Sequence, residues 1–197
     1  MPEQPRRRPG GRSALVRAAV LEAGLAELAE TGYHGLSLEG VARRAGVNKT
    51  TLYRRWGTRE ALLLDAVRAR AAARVPIPDT GSLREDLLAL ARDAIGNLAT
   101  AEVQAVVRAA VALSPHDEAL AATTRAFWAE RLDVDGAVVR RAVERGEIAP
   151  VDPERVVEAV LGPPYFHLLV TGRPVADDFL VATVDLVVRG LPRPGAP

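Results

Sequence analysis

The segment from Ser37 to Trp56, SLEGVARRAGVNKTTLYRRW, constrains the fold of this 197-residue chain most tightly. Ser37 and Asn48 each stand just before a helical pattern of apolar residues, where a side-chain oxygen can cap the first turn of a helix. Gly46 lies between the two patterns and permits the left-handed backbone that a sharp turn needs. The segment therefore predicts two short helices joined by a tight turn.

The second of these helices has distinct inward and outward faces. Leu52 and Trp56 are four residues apart and point inward. The outward face combines a lysine, two threonines, a tyrosine and two arginines: Lys49, Thr50, Thr51, Tyr53, Arg54 and Arg55. Such groups can pair with guanine O6 and N7, with thymine methyl groups or with phosphate oxygens. This face indicates a helix-turn-helix that lays its second helix in the major groove of DNA.

Charge is divided unevenly along the chain. Residues 1–60 carry 11 basic and 6 acidic side chains, whereas residues 61–197 carry 15 basic and 19 acidic ones. A basic N-terminal third is typical of a protein that approaches a polyanion, although ordinary solvated surfaces show differences of this size too. Residues 1–12 contain three prolines and two glycines and predict a flexible basic arm. Its three arginines, Arg6, Arg7 and Arg8, either touch phosphates or are simply solvated.

The rest of the chain also follows helical periodicity, which predicts an all-α fold. A first helix is expected from Ser13 to about Gly32, and Thr58 is expected to cap a fourth helix that ends near Val75. After a break rich in proline, Ser82 begins a capping box. The remaining helices are expected at about 101–113, 117–145, 153–171 and 176–189, with a kink at Gly162-Pro163-Pro164. The predicted domains are a flexible arm (1–12), a helix-turn-helix domain (13–75), a helical ligand-binding and dimerisation domain (82–191) and a tail (192–197).

Composition excludes several classes of function. The chain has no cysteine and three dispersed histidines, so we expect no disulfide, no metal site and no cofactor. No apolar run approaches the roughly 20 residues of a membrane span, and we expect a cytoplasmic protein without membrane partners. No phosphate-binding loop or nucleophile motif is present, so we do not expect an enzyme.

The first 75 residues resemble the DNA-binding domain of the tetracycline-repressor (TetR) family in the segments AVLEAGLAELAETGYHGLSL, VARRAGVNKTTLYRRW and TREALLLDAV. The resemblance implies that Ser37, Arg55 and Arg59 contact phosphate. It also implies contacts to bases or backbone from Lys49, Thr50, Thr51, Tyr53 and Arg54. Three residues depart from those common in the family, namely Leu38, Gly40 and Thr50. Glu39 is acidic at a position that can face DNA, where it either reads cytosine N4 or repels phosphate.

The segments EAVLGPPYFHLLVTGRPVADDF and VDLVVRGL are similar to the C-terminal regulatory domain of an actinobacterial-type branch of the same family. That similarity implies a ligand pocket and a dimer interface made by the last two long helices. The candidate ligand residues are the aromatic and titratable ones, His116, Phe127, Trp128, Tyr165, Phe166 and His167. In the last helix, apolar residues occupy more of the circumference than one buried face accounts for. Its candidate interface residues are Phe179, Val184, Leu186 and Val187.

Together these features predict a homodimeric regulator that binds a double-stranded DNA operator and responds to a small-molecule effector. Repression relieved by the effector is the default that the resemblance implies, and activation stays open. The alternative is an all-helical protein-interaction module without DNA specificity. That alternative explains the helices but gives no reason for the outward face of residues 49–55.

Overall fold

The fold is described from a computed structural model, in which residues 11–74 and 77–195 are described. Most of the predicted arm, including Arg6, Arg7 and Arg8, lies outside these ranges. Throughout the described ranges the regular structure is helical, and they contain no β-strand. None of their helices is both long enough and apolar enough to cross a bilayer. The chain divides into two compact units between residues 69 and 70.

From residue 11 onward the first unit contains four helices: α1 (Gly11–Gly35), α2 (Leu38–Ala45), α3 (Lys49–Trp56) and α4 (Arg59–Arg74), of which α4 runs past the boundary. α1 begins slightly earlier than the predicted start at Ser13. Near its end Gly32 leaves helical geometry with a φ of 67°, which accounts for the predicted end at this glycine.

The caps of α2, α3 and α4 are those that the sequence predicts. The Ser37 hydroxyl oxygen accepts from the Gly40 N–H at 3.0 Å, and the Asn48 side-chain oxygen accepts from the Thr50 N–H at 2.9 Å. Thr58 accepts in the same way from the Ala61 N–H at 3.1 Å. Between α2 and α3, Gly46 adopts the left-handed conformation with a φ of 66°. The helix-turn-helix geometry is therefore fixed by local hydrogen bonds and one glycine.

The core of the first unit orients α3. Leu52 is fully buried, together with Val41 of α2 and Leu62 of α4. Trp56 is half-buried, and its indole Nε1–H donates to Asp65 Oδ2 at 3.0 Å. These two contacts hold the inward face of α3 against α4, so the other side of α3 is left for solvent.

The second unit contains α5 (Leu83–Leu98), α6 (Ala101–Leu113), α7 (Glu118–Asp135), α8 (Ala137–Glu144), α9 (Pro153–Tyr165) and α10 (Asp177–Gly190). A 3₁₀ turn (Ser114–His116) precedes α7, and a π-helical segment (Phe166–Thr171) follows α9. α5 packs against α6, α8, α9 and α10. Arg84 and Arg92 of α5 also pair with Asp185 and Asp177 of α10, at 2.7 and 2.6 Å.

Two sequence predictions for this unit need correction. Ser82 makes no capping hydrogen bond with its side chain; the Leu83 N–H instead donates to the Glu147 carboxylate, at 2.9 and 3.0 Å to its two oxygens. The predicted helix 117–145 is two helices, α7 and α8, which meet at Gly136. Both corrections depend on distant partners or on packing, which the periodicity of a local segment does not predict.

The sequence predicts a kink at Gly162-Pro163-Pro164, but α9 continues through both prolines to Tyr165 and the change that follows is one of helix type. Pro163 and Pro164 lie inside α9, and neither has an N–H to donate to the preceding turn. The chain enters the π-helical segment directly after Tyr165. Arg108 of α6 donates to the Leu168 and Leu169 carbonyls of that segment, at 2.7 and 3.2 Å, and so satisfies carbonyls near its end.

Candidate nucleic-acid interface and regulatory site

The outward face of α3 is exposed, as the sequence predicts. The side chains of Lys49, Thr50, Tyr53, Arg54 and Arg55 are all on the surface. Within residues 11–74 and 77–195, neither the Lys49 ammonium nor the Arg54 guanidinium forms a hydrogen bond or an ion pair. The guanidinium carbon of Arg55 lies 5.2 Å from the centroid of the Trp56 ring, a cation–π contact. Positive charge on this face is therefore available to a polyanion.

An acidic residue of α2 holds the tyrosine of this face. The Tyr53 hydroxyl donates to Glu39 Oε1 at 3.0 Å. The pKa of the Glu39 carboxyl is lowered, first by a hydrogen bond from its own backbone N–H, then by Tyr53 and by the charge of Lys49. The same hydrogen bond to Glu39 raises the pKa of Tyr53. Glu39 is therefore ionised and orients the phenol.

A cavity of about 340 Å³ lies between α1 and α3. Its lining comes from Ser13, Val16, Arg17 and Val20 of α1 and from Thr51, Arg54, Arg55 and Trp56 of α3. Arg17 is neutralised by a salt bridge to Asp65, whereas Arg54 and Arg55 have no carboxylate partner in the described part of the chain. Two uncompensated guanidinium groups at a cleft are suited to phosphate oxygens.

Ser37 and Arg59, two of the residues expected at phosphate, lie in different situations. Ser37 is half-buried, and because its oxygen accepts the capping bond, its hydroxyl hydrogen is free to donate. Arg59 is engaged inside the unit. Its guanidinium donates to the Tyr33 and Leu36 carbonyls at 3.2 and 2.9 Å and to Glu60 at 2.8 Å. These bonds use Nε and Nη1 and leave Nη2 without a hydrogen bond in the described ranges, so a phosphate contact from Arg59 stays a prediction.

The structure explains why position 40 departs from the residues common in the family. A Cβ on Gly40 would lie 2.1 Å from Glu27 Oε1, so any larger residue would displace that carboxylate. Glu27 is buried, and it accepts from Arg44 Nε at 3.0 Å. The sequence did not single out Glu27. The only sequence signal for it was the unusual glycine opposite.

The six predicted ligand residues do not form one cluster. Phe127, Trp128 and Tyr165 are in edge-to-face contact, with ring centroids 5.0 Å apart for the first pair and 5.8 Å for the second. His167 instead lies 4.3 Å from the ring of Phe179. Phe166 and His116 are exposed in the single chain. The aromatic group of Phe127, Trp128 and Tyr165 is therefore the part of the prediction that the fold brings together.

Three charged residues that the sequence did not single out lie near this aromatic group: Asp93 of α5 and Arg131 and Asp135 of α7. All three act electrostatically on the Tyr165 hydroxyl, whose pKa burial raises to about 12. Trp128, Arg131 and Asp135 share one face of α7, at positions i, i+3 and i+7. That shared row was the available sequence signal. No set of three His, Asp or Glu side chains in the described ranges is arranged to hold a metal ion.

The predicted dimer residues include both exposed and buried side chains. Leu186 is 69% exposed, and Phe179 and Val187 are half-buried. Val184 has 0% exposure within the single chain, so its side chain belongs to the core of the second unit and cannot contact a partner. Phe166 and Val170, next to α9, add 55% and 70% exposed apolar side chains. A partner therefore has an apolar surface to cover without Val184.

Both units match known family models. Residues 20–66 match the model described as "Bacterial regulatory proteins, tetR family". Residues 77–187 match the model described as "Tetracyclin repressor-like, C-terminal domain". The matches thus cover the helix-turn-helix and nearly all the helices of the second unit.

Individual relatives cover almost the whole chain. The chain is 35% identical over 191 residues to the HTH-type transcriptional regulator AqdR of Rhodococcus erythropolis. The aligned region covers 96% of this chain and 91% of that protein. It is 37% identical over 186 residues to the DNA-binding transcriptional repressor TetR of Mycobacteroides abscessus, covering 91% of this chain and 95% of that one. The crystal structure of the TetR family transcription regulator SCO0332 superposes with a TM-score of 0.79 at 34% identity, covering 89% of this chain and 97% of that chain.

Proposed function

Because this chain belongs to the TetR family of transcriptional regulators, we propose that it works as a homodimeric repressor that a small molecule releases from a palindromic operator. DNA is the partner of the first unit, and the effector is the partner of the second. A regulator of this kind acts where the chromosome is, in the cytoplasm. It has no catalytic role of its own.

The exposed face of α3 carries this proposal. Arg54 and Lys49 have no competing partner in the described ranges, and both can reach guanine O6 and N7. Thr50 offers a methyl group to thymine. Tyr53 is held by Glu39, so its ring has a fixed direction before DNA arrives, and less side-chain entropy is lost on binding.

Phosphate contacts would position α3 in the groove. Arg55 lines the cavity between α1 and α3 together with Arg54, and Ser37 has a hydroxyl hydrogen to donate at the start of α2. Such contacts fix register and orientation without reading sequence. We assign positioning to Ser37, Arg55 and Arg59. We assign base reading to Lys49, Thr50, Tyr53 and Arg54, with Thr51 between the two groups.

A dimer follows from the limited reach of one helix-turn-helix. Two recognition helices must be held about 34 to 36 Å apart, one turn of B-DNA, to read a palindrome. Leu186 and Val187 of α10, with Phe179, offer an apolar surface that a second copy would cover. α10 is also braced against α5 by two salt bridges, so that surface is presented on a rigid helix.

Release by an effector requires that the effector binds two arrangements of the dimer with different affinities. The effector must bind the DNA-incompetent arrangement of the dimer more tightly, and it then lowers operator affinity by the same factor by which operator lowers effector affinity. The second unit matches the C-terminal family model and holds a partly buried aromatic group, Phe127, Trp128 and Tyr165. We place effector binding there.

Selection from a random pool of duplexes, followed by fluorescence anisotropy at several salt concentrations, tests the proposal. We expect a palindrome to be enriched and to bind at least about 1,000-fold more tightly than a scrambled duplex, with affinity that falls steeply as salt rises. Equal affinity for selected and scrambled duplexes would instead favour a helical protein-interaction module. Scrambled DNA of the same length and composition is the matched control.

A further inference from the structure

Asp135, at the C-terminal end of α7, is a buried acid without a hydrogen bond. It is 1% exposed, and neither of its carboxylate oxygens has a hydrogen-bond partner. Arg131 Nη2 lies 2.9 Å from Oδ1, which makes an ion pair, but no donor hydrogen is aligned with the oxygen. Buried carboxylates in folded proteins normally accept several hydrogen bonds, so this one has unused acceptor capacity.

The charge around Asp135 is unbalanced. Four groups from three helices form what we call the Asp135 cluster: Asp93 of α5, Arg131 and Asp135 of α7, and Tyr165 of α9. The Asp93 carboxylate has no hydrogen bond or ion pair with any residue of the described ranges, yet it is near enough to raise the pKa of Asp135. Two carboxylates therefore face one guanidinium, and the phenol is neutral because burial raises its pKa to about 12.

This arrangement is costly for a purely structural cluster. Burial raises the pKa of the Asp135 carboxyl to about 6, Arg131 opposes that shift and Asp93 adds to it. A charge removed from water needs hydrogen bonds as well as an opposite charge to offset its desolvation, and Asp135 lacks the hydrogen bonds. A ligand that brings a positively charged donor would supply both the missing hydrogen bonds and the missing charge.

Aromatic rings stand beside this negative charge. Trp128 precedes Arg131 and Asp135 on the same face of α7, and its ring contacts Tyr165 at 5.8 Å and Phe127 at 5.0 Å. Aromatic rings attract cations and also stack on flat apolar groups. Tyr165 is the last residue of α9 before the π-helical segment, and such local departures from α-helix frequently mark functional sites.

We propose that the Asp135 cluster is the effector site of the second unit, and that it takes an aromatic ligand with a protonated amine, which donates to Asp135 while the ring packs on Trp128. This rests on the proposed function, in which the second unit binds a small-molecule effector. The site would reject the corresponding carboxylic acid, since a third negative charge would stand beside Asp93 and Asp135.

Matched pairs of probes test this with the full-length protein. Isothermal titration calorimetry would compare 2-phenylethylamine with 3-phenylpropionate, tryptamine with indole-3-propionate, and 1-naphthylmethylamine with 1-naphthylacetate. We expect at least one amine to bind roughly tenfold more tightly than its acid, as a charge-assisted hydrogen bond provides. If no amine in the series binds more tightly than its acid, the proposal is overturned.

Substitution locates the binding. Asp135→Asn keeps the shape of the side chain and should weaken the preferred amine about tenfold or more, and Asp93→Asn should weaken it by a smaller factor. Asp133→Asn is the matched control, because Asp133 is also on α7 but is exposed and pairs with Arg140 at 3.2 Å. Equal amine affinity in wild type and Asp135→Asn would contradict the assignment. If Asp135→Asn fails to fold, the wild-type comparison of amine with acid and the Asp93→Asn variant still decide it.

The selected operator separates this inference from the proposed function. Operator binding without any preference for amines would overturn the amine site and leave the regulator intact. An amine that binds through Asp135 but leaves operator affinity unchanged would support the site and contradict the assignment of that site to release. Loss of operator affinity on adding the amine, absent in Asp135→Asn, supports both.

Discussion

The first unit keeps the side chains we assign to DNA on its surface, whereas the second unit keeps the side chains we assign to an effector in its interior. Lys49 and Arg54 are solvated, so the unliganded protein bears little cost for them. Asp135 is 1% exposed and lacks hydrogen bonds, so the unliganded protein bears a real cost for it. DNA would bind side chains that are already exposed, while the effector would supply hydrogen bonds to a carboxylate that is buried without them.

This difference also separates what each unit should respond to. An exposed cationic face interacts with phosphate through charge, so its binding should depend on salt. A buried carboxylate with a raised pKa makes folding depend on pH. Substitutions in the two units should therefore have separable effects, in salt dependence for the first unit and in pH dependence for the second.

The largest effect is expected at the apolar surface of α10. Leu186→Glu combined with Val187→Glu would place carboxylates at the proposed seam between copies, and isolated buried charge costs several kcal/mol. We expect a folded monomer in analytical ultracentrifugation and at least about a 100-fold loss of palindrome binding. Val111→Glu, at another exposed apolar position (61% exposed), is the matched control and should stay dimeric. A double variant that sediments as a dimer and binds normally would place the interface elsewhere.

The second effect concerns the pH dependence of folding. The pKa of Asp135 is raised from 3.8 to about 6, so the folded chain binds more protons than the unfolded chain between these values, and stability falls as pH rises through this window. Asp135→Asn lacks this loss. Urea titration measures the free energy of unfolding of the variant and of wild type at each pH. The difference in favour of the variant should grow by about 2 to 3 kcal/mol from pH 4 to pH 7.

Asp93, Arg131 and Tyr165 face Asp135 from α5, α7 and α9, and they are unchanged in this comparison. Asp133→Asn should show no such gain, because Asp133 is exposed. A stability difference between wild type and Asp135→Asn that stays constant from pH 4 to pH 7 would show that Arg131 already compensates the carboxylate. The contrast between the two units would then disappear.

A smaller effect tests the packing that presents the helix-turn-helix. Gly40→Ala places a methyl group 2.1 Å from the buried Glu27 carboxylate and should cost about 1 to 3 kcal/mol in free energy of unfolding. Gly96→Ala in α5 meets nothing within 4 Å and should stabilise by about 0.5 to 1 kcal/mol through helix propensity alone. Thermal unfolding of both variants measures the difference. Stabilisation by Gly40→Ala would show that Glu27 moves aside freely.

Local chemistry is why the first unit could be predicted so far from the sequence. Ser37, Asn48 and Gly46 act on residues within a few positions of themselves, so their caps and turn depend little on the rest of the fold. For Arg59 the sequence does not show its bonds to the Tyr33 and Leu36 carbonyls, because these partners are distant in sequence. Its local context predicts a phosphate contact, and only the packing shows that Nε and Nη1 already donate within the unit.

The second unit was less predictable because its important contacts join distant segments. The Asp135 cluster brings together α5, α7 and α9, and no spacing in the sequence relates Asp93 to Tyr165. Periodicity places Val184 on the dimer surface because it shows that the helix is apolar on several sides but not which side the chain itself covers. Ser82 was expected to cap α5, a role that the distant Glu147 performs.

Arg54→Ala decides whether the exposed face of α3 reads DNA. Anisotropy would give the affinity of this variant for the selected palindrome and for a scrambled duplex, beside Arg155→Ala, which removes the same charge from an exposed position in the second unit. For Arg54→Ala, loss of a base contact predicts a palindrome affinity about 10- to 100-fold lower and a much smaller loss on scrambled DNA. Arg155→Ala should leave both affinities unchanged. Unchanged palindrome affinity in Arg54→Ala, or an equal loss on both duplexes, would contradict the assignment of base reading to this face.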